Sequence, residues 1–265
     1  MSSPYKSREI YLEKKFFDFA LFHYFFQLLR VVNFLLIIEN FKVFCMIKIL
    51  DEKNLLIACE KLATNDKDLA FIFQTFGTPP LWKREASFAT LVHIILEQQV
   101  SLASALSAFN KLREKIVEVI PENVLRLSDE EMKAAYFSRQ KIVYARDLAQ
   151  AISDGRLDLK SLEILPDEAV KHELKRIKGI GDWSSDIYLL MALLRPDVMP
   201  KGDLALHVAW QRLKNLPEKP KAEEFLMIAE KWKPYRAVAA RLLWHFYLSA
   251  KTFSREQTRN KKKVS

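Results

Sequence analysis

Five glycines in 265 residues limit what this chain can fold into more than any other feature of its sequence. Several β-turn types need a positive φ that glycine adopts without steric cost, and an all-β protein of this length needs many such turns. The scarcity points to a mostly helical chain. Apolar residues make up 50 % and charged residues 28 %, which excludes disorder over most of the length. A mass of 31.0 kDa allows one large domain or two small ones with a real core. The cysteines, Cys45 and Cys59, number 2. That excludes a disulfide framework, a four-cysteine zinc site and a four-cysteine iron–sulfur cluster, and a reducing, intracellular setting is the natural reading.

The net charge of +9 is unevenly spread. Residues 1–45 carry +2, residues 46–250 carry +2, and the 251–265 tail carries +5, including Lys261, Lys262 and Lys263. The tail reads either as a solvated end or as a non-specific phosphate contact. Residues 1–45 hold 9 of the 18 phenylalanines. The charge-free runs Phe19–Leu29 and Val31–Ile38 are shorter than the roughly 18 residues a membrane span needs. Phe, Tyr, Asn, Lys and Ile fill 21 of these positions, as translation of AT-rich DNA would. Residues 1–45 are thus expected to be an apolar extension, dispensable and not native, with the functional chain beginning at Met46. A membrane-surface helix and an extra packing helix are the rival readings.

From Met46 the pattern is one helix after another: 51–61, 67–76, 87–96, 102–115, 140–152, 166–176, 183–194, 204–213, 222–232 and 235–250. Gly77-Thr78-Pro79-Pro80 breaks the second, and Ser128-Asp129-Glu130-Glu131 has the form of a capping box. Three of the five glycines, Gly179, Gly181 and Gly202, fall within 24 positions. Clustering of a scarce residue implies positive φ or close approach by another group. A tight turn at Gly179-Ile180-Gly181 leading into a helix N-terminus reads either as an ordinary αα-turn or as a nest of N–H groups for a phosphate. Asp203 opens the helix after Gly202. Alone it reads as an N-cap, or as a carboxylate that stabilises a developing cation. The histidines, His23, His93, His172, His207 and His245, show no metal spacing.

Ile177–Trp183 followed by Pro200-Lys201-Gly202-Asp203-Leu204 resembles the helix–hairpin–helix, loop and aspartate of the helix–hairpin–helix DNA glycosylase superfamily. The stretches Ile94–Ser101, Ser138-Arg139-Gln140-Lys141 and Lys233-Pro234-Tyr235-Arg236 with Ala239–Trp244 resemble its 3-methyladenine DNA glycosylase II branch. The resemblance covers about residues 46–250. It implies an all-α fold with two helical subdomains and the active-site cleft between them. Position by position, it makes Asp203 the catalytic carboxylate, Trp183 the base-binding platform and Gln99 the wedge left in the gap of an extruded nucleotide. Gly179, Gly181 and Lys178 become the DNA-phosphate anchor, with Lys175 and Arg176 as phosphate neighbours. A monovalent cation at the hairpin is allowed; no other metal or cofactor is implied.

The bifunctional branch has a lysine where this chain has Trp183. The resemblance therefore implies a monofunctional hydrolase that removes alkylated purines of the 3-methyladenine and 7-methylguanine type and has no lyase activity. Its expected partner is double-stranded DNA containing alkylated bases, its expected state a monomer, and its expected place the cytoplasm, with the nucleoid if the source is bacterial. A non-catalytic helix–hairpin–helix DNA-binding protein is the alternative. Two departures stand out: Tyr136 precedes Phe137 where relatives often have a glycine-containing turn, and Ile187 stands where some have a pocket aromatic.

Overall fold

A computed structural model describes residues 49–249; both the N-terminal extension and the basic tail lie outside them. Among the described residues every regular element is helical. Short polar side chains start the helices by accepting hydrogen bonds from first-turn N–H groups. Asp51 and Asn54 form a reciprocal capping box at α1 (Glu52–Asn65). Asp66 caps α2 (Lys67–Phe76), Ser87 caps α3 (Phe88–Glu97) and Ser101 caps α4 (Leu102–Lys115). Two short helices follow, α5 (Pro121–Arg126) and α6 (Asp129–Ala134), and the expected box between Ser128 and Glu131 opens the second. Ser138 caps α7 (Arg139–Ser153), and a single turn, α8 (Leu159–Leu162), leads to α9 (Asp167–Lys175) and α10 (Asp182–Met191). Asp203 caps α11 (Leu204–Lys214). Then come α12 (Ala222–Ala229), a 3₁₀ turn (Glu230–Trp232) and α13, residues 236–249.

The elements form two packed groups. In the first, α3 pairs with α4, α5 and α6 pack on α7, and α10 packs against both α9 and α3. Helix α10 is the centre: Ser184, Ser185, Asp186, Ile187, Tyr188, Leu189 and Leu190 are all buried. On a helix buried this thoroughly every polar group left without a bond is costly. The second group is built from both ends of the described chain. Helices α1 and α2 pair with each other, and α11 to α13 close on them. Its core is aromatic, with Trp210 and Trp232 at 5.4 Å between ring centroids and Phe225 against both. Trp232 also donates through Nε1 to the α2 cap Asp66 at 2.8 Å.

Arg241 joins the groups. Its fully buried guanidinium donates to the carbonyls of Leu81 (3.0 Å), Ala237 (3.1 Å) and Leu190 (2.7 Å). Burial pushes its pKa down to about 10. The loop before α3, the end of α10 and the start of α13 are thereby fixed to one another beside the junction of the two groups.

Candidate functional site

The junction is where the chemistry gathers. Asp203 begins α11, in a loop turned by Gly202 at φ +75°. Its side chain is 8 % exposed and accepts three N–H groups. Oδ1 takes Leu206 N (3.0 Å) and Trp244 Nε1 of α13 (3.1 Å), and Oδ2 takes Trp183 Nε1 of α10 (2.9 Å). Among the described residues no cation pairs with this carboxylate. Its charge is met by neutral donors from three helices, which hold it without cancelling it. The group that caps α11 is therefore also the one held by the indoles of α10 and α13. Trp82, at φ +47°, sits edge-on to Trp244 with ring centroids 6.2 Å apart and adds a further indole near the site.

Asp186 holds the Asp203 loop in place. It is buried at 2 % exposure, accepts Lys201 N at 3.1 Å and pairs with Lys171 at 3.1 Å. Burial raises its carboxyl pKa, against the pull of Lys171. An aspartate in the first turns of a helix suits the positive end of the helix dipole wherever it points. The actual function is to tie the loop carrying the site to the central helix.

The hairpin between α9 and α10 is closed by Ile180 N to Ile177 O (3.1 Å) and by Lys178 N to Asp147 Oδ2 of α7 (2.8 Å). Gly179 has φ +89°, and a Cβ there would lie 2.1 Å from the ring of Tyr144. Positive φ and close approach both apply to it. Neither applies to Gly181, at φ −105° with nothing within 4 Å of a built Cβ. The expectation of a special backbone therefore holds at Gly179 and Gly202 but not at Gly181, whose missing side chain leaves open space outside the protein. Among the described residues the amides of Gly179 and Gly181 find no acceptor, and neither do the carbonyls of Lys178 and Ile180 find a donor. Lys175 is paired with Asp182 and Arg176 with Glu173, which leaves Lys178 without a carboxylate partner among the described residues.

The loop after α3 leans on this hairpin. Gln98, the C-cap of α3, donates from Nε2 to Gly179 O (2.7 Å) and Ser184 Oγ (3.0 Å). Lys141 donates to Leu96 O at 2.7 Å, and its partial burial lowers its pKa. The buried Glu97 receives Arg84 on both oxygens, at 2.7 and 3.0 Å. On this braced base Gln99 stands exposed with φ +56°. Beside it runs a cleft of about 470 Å³ lined by Val100, Ser104, Ser107, Tyr136 and Lys141 among others.

The structure thus joins Asp203 with Trp183 directly, and the Gln99 loop with Gly179 through Gln98. Sequence reasoning missed Trp244, Trp82, Gln98, Asp186 and Tyr144. Trp244 and Gln98 lay inside stretches already singled out, but nothing in one dimension said which way they point. Tyr136 occupies a left-handed position, φ +64°, so the turn survives where its usual glycine does not. Ile187 and Tyr188 are both buried in the core of α10; Tyr188 Oη has no partner among the described residues, and burial raises its pKa. His207 Nδ1 lies 2.9 Å from Pro220 O and His245 Nε2 2.9 Å from Phe76 O, each a structural bond.

The sequence matches the HhH-GPD superfamily base excision DNA repair protein family over residues 92–234. It is 28 % identical over 188 residues to YfjP of Bacillus subtilis, covering 66 % of this chain and 64 % of that protein, so the chain spans less than two thirds of that relative's length. It is 30 % identical over 166 residues to DNA-3-methyladenine glycosylase 1 of Schizosaccharomyces pombe, covering 61 % of this chain and 73 % of that one. The fold superposes with a TM-score of 0.68 on the Schizosaccharomyces pombe 3-methyladenine DNA glycosylase solved in complex with abasic DNA, at 27 % identity, over 73 % of this chain and 96 % of the other.

Proposed function

We propose, from the premise that this chain belongs to the HhH-GPD superfamily of base excision DNA repair proteins, that it is a monofunctional DNA glycosylase which hydrolyses the N-glycosidic bond of alkylated purines. The observation that carries this reading is the carboxylate of Asp203, buried at the junction and gripped by Leu206 N, Trp183 and Trp244. A fixed anion in a water-poor site is what an oxocarbenium-like sugar needs. Capping α11 needs only the bond from Leu206 N; the two indole donors from other helices go beyond that need.

The steps follow from the chain's own residues. A base in a duplex is out of reach, so the nucleotide is extruded at a cost of a few kcal/mol. The open amides of Gly179 and Gly181, with the unpaired Lys178, hold a backbone phosphate beside it. Gln99 enters the gap. The face of Trp183 attracts an alkylated, cationic purine by about 0.5–2 kcal/mol, while its N–H stays on Asp203. Such a base is a good leaving group without a general acid. Asp203 stabilises the cationic sugar and orients the attacking water. With Trp183 in the lysine position no Schiff base forms. A monovalent cation at the hairpin fits the residues: the carbonyls of Lys178 and Ile180 are neutral and unengaged, a donor set suited to an alkali ion.

Among the described residues no helix is long and apolar enough to cross a membrane. The site needs no second copy, and the protein acts as a monomer on DNA in the cytoplasm or nucleoid. The test is release of free base from duplexes carrying defined lesions. Liberation of 3-methyladenine and 7-methylguanine is expected; failure on every alkylated purine overturns the reading.

A further inference from the structure

Gln98 and Gln99 are neighbours with opposite orientations. Gln98 is extended and half-buried, and its Nε2 bridges 81 residues of sequence to Gly179 O. Gln99 is exposed and left-handed, a backbone disfavoured for a residue with a Cβ. A strained, exposed residue persists only where its surroundings hold it there. Here the braces are the Gln98 bonds on one side, and on the other Ser101, which accepts Ser104 N at 3.1 Å to start α4.

Resting on the function proposed above, we infer that Gln98 is a positioning residue which couples the phosphate anchor to the wedge. Gly179 serves both. Its N–H has no acceptor among the described residues, and its carbonyl is held by Gln98. A DNA strand seated on the hairpin therefore fixes, through one glycine and one side-chain amide, where Gln99 stands. Ser184, on the first turn of α10 beside Trp183, receives the second hydrogen of the same amide. Without the bridge the loop relaxes from its left-handed turn, and the wedge is no longer aligned with the gap. Chemistry at Asp203 is untouched, because neither Gln98 nor Ser184 bonds to it.

The test compares Gln98→Met, similar in length and without a donor, with Gln99→Ala and the double variant in the full chain. Single-turnover excision of 7-methylguanine is measured opposite cytosine and in a single strand. Fluorescence of 2-aminopurine beside the lesion reports extrusion. Loss of two modest hydrogen bonds predicts a roughly tenfold slower reaction on the paired lesion, with single-strand excision within about twofold of wild type. The double variant is expected to be no slower than Gln99→Ala alone. Additive losses, or equal loss on both substrates, overturn the coupling. If Gln98→Met fails to fold, Gln98→Glu takes its place: it keeps the length but turns an acceptor towards Gly179 O, and a loss confined to the paired substrate is expected, whereas no change overturns the inference. A wild-type chain inactive on both substrates would instead refute the glycosylase reading itself.

Discussion

Replacing Asp203 by Asn separates its capping of α11 from the catalytic role proposed for it, and the hydrogen bonds of the carboxylate mean that the change is not neutral for folding. The carboxylate offers two acceptor oxygens to three N–H groups. An amide offers one oxygen and one NH₂. With its oxygen in the Oδ1 place, it keeps Leu206 N and Trp244 Nε1 and so still caps α11. Its NH₂ then faces Trp183 Nε1–H, donor against donor. The reverse orientation leaves two donors unmet. At best one part-buried N–H is left without an acceptor, which costs about 2 kcal/mol. For a domain of this size that lowers Tm by about 4–8 °C. The loss of negative charge beside a cationic sugar is expected to slow excision by at least about 10²-fold. Binding to abasic DNA should persist, because the hairpin and Gln99 are unchanged. The measurements are thermal unfolding, single-turnover release of 3-methyladenine and binding to abasic duplex. Near wild-type turnover would refute the catalytic assignment. Lost turnover with an unshifted Tm would refute the three-donor account.

The two hairpin glycines should behave differently. Gly179→Ala is expected to cost at least about 2 kcal/mol of stability, because its Cβ meets the Tyr144 ring. Gly181→Ala should stay within about 0.5 kcal/mol of wild type yet bind DNA more weakly, read by denaturant unfolding beside a fluorescence titration; unchanged affinity would remove Gly181 from the anchor. Borohydride is expected to trap no protein–DNA adduct, and abasic product should remain uncut until heated in alkali; an efficient trapped adduct would place the chain among the bifunctional enzymes. Burial lowers the pKa of His207, against smaller opposing effects of Pro220 O and Asp203. The unfolded chain then binds the proton more readily, so stability is expected to fall as pH drops below about 6.5. Denaturant midpoints at neutral and mildly acid pH should show this, with a flatter dependence in His207→Gln; an equally steep one would assign the effect elsewhere.

Much of the frame was legible because helix signals are local. The capping box expected at Ser128 opens its helix, serines also stand at the starts of α3, α4 and α7, and Gly77 ends α2 as the Pro79-Pro80 break suggested. Helices α5 and α8, of 6 and 4 residues, were missed, since so short a turn shows no periodicity. The last turn of 222–232 is 3₁₀ instead of α. At the site, Asp203 and Trp183 were named together by the family resemblance, and they meet. Trp244 is 41 residues from the carboxylate it holds, and Asp186 serves a loop 15 residues on. Such pairings depend on how helices cross. They carry no local signature, which is why they emerged only in three dimensions.

The second helical group is assembled from the two ends of the described chain, and this sets an order of events during synthesis. Helices α3 to α10 contact one another over modest separations and can pack while the rest is still being made. The α1–α2 pair must wait for Trp232, Lys214 and His245. Trp244 and Arg241 follow the other residues of the site along the chain, so Asp203 receives its third donor, and the loop of Trp82 its fastening, only when α13 docks. A nascent chain can therefore present the hairpin and the Gln99 loop well before Asp203 has all three of its donors. On the function proposed above, the hairpin that would hold a phosphate takes shape before the carboxylate is fully gripped, and α13 is the latch that completes the site.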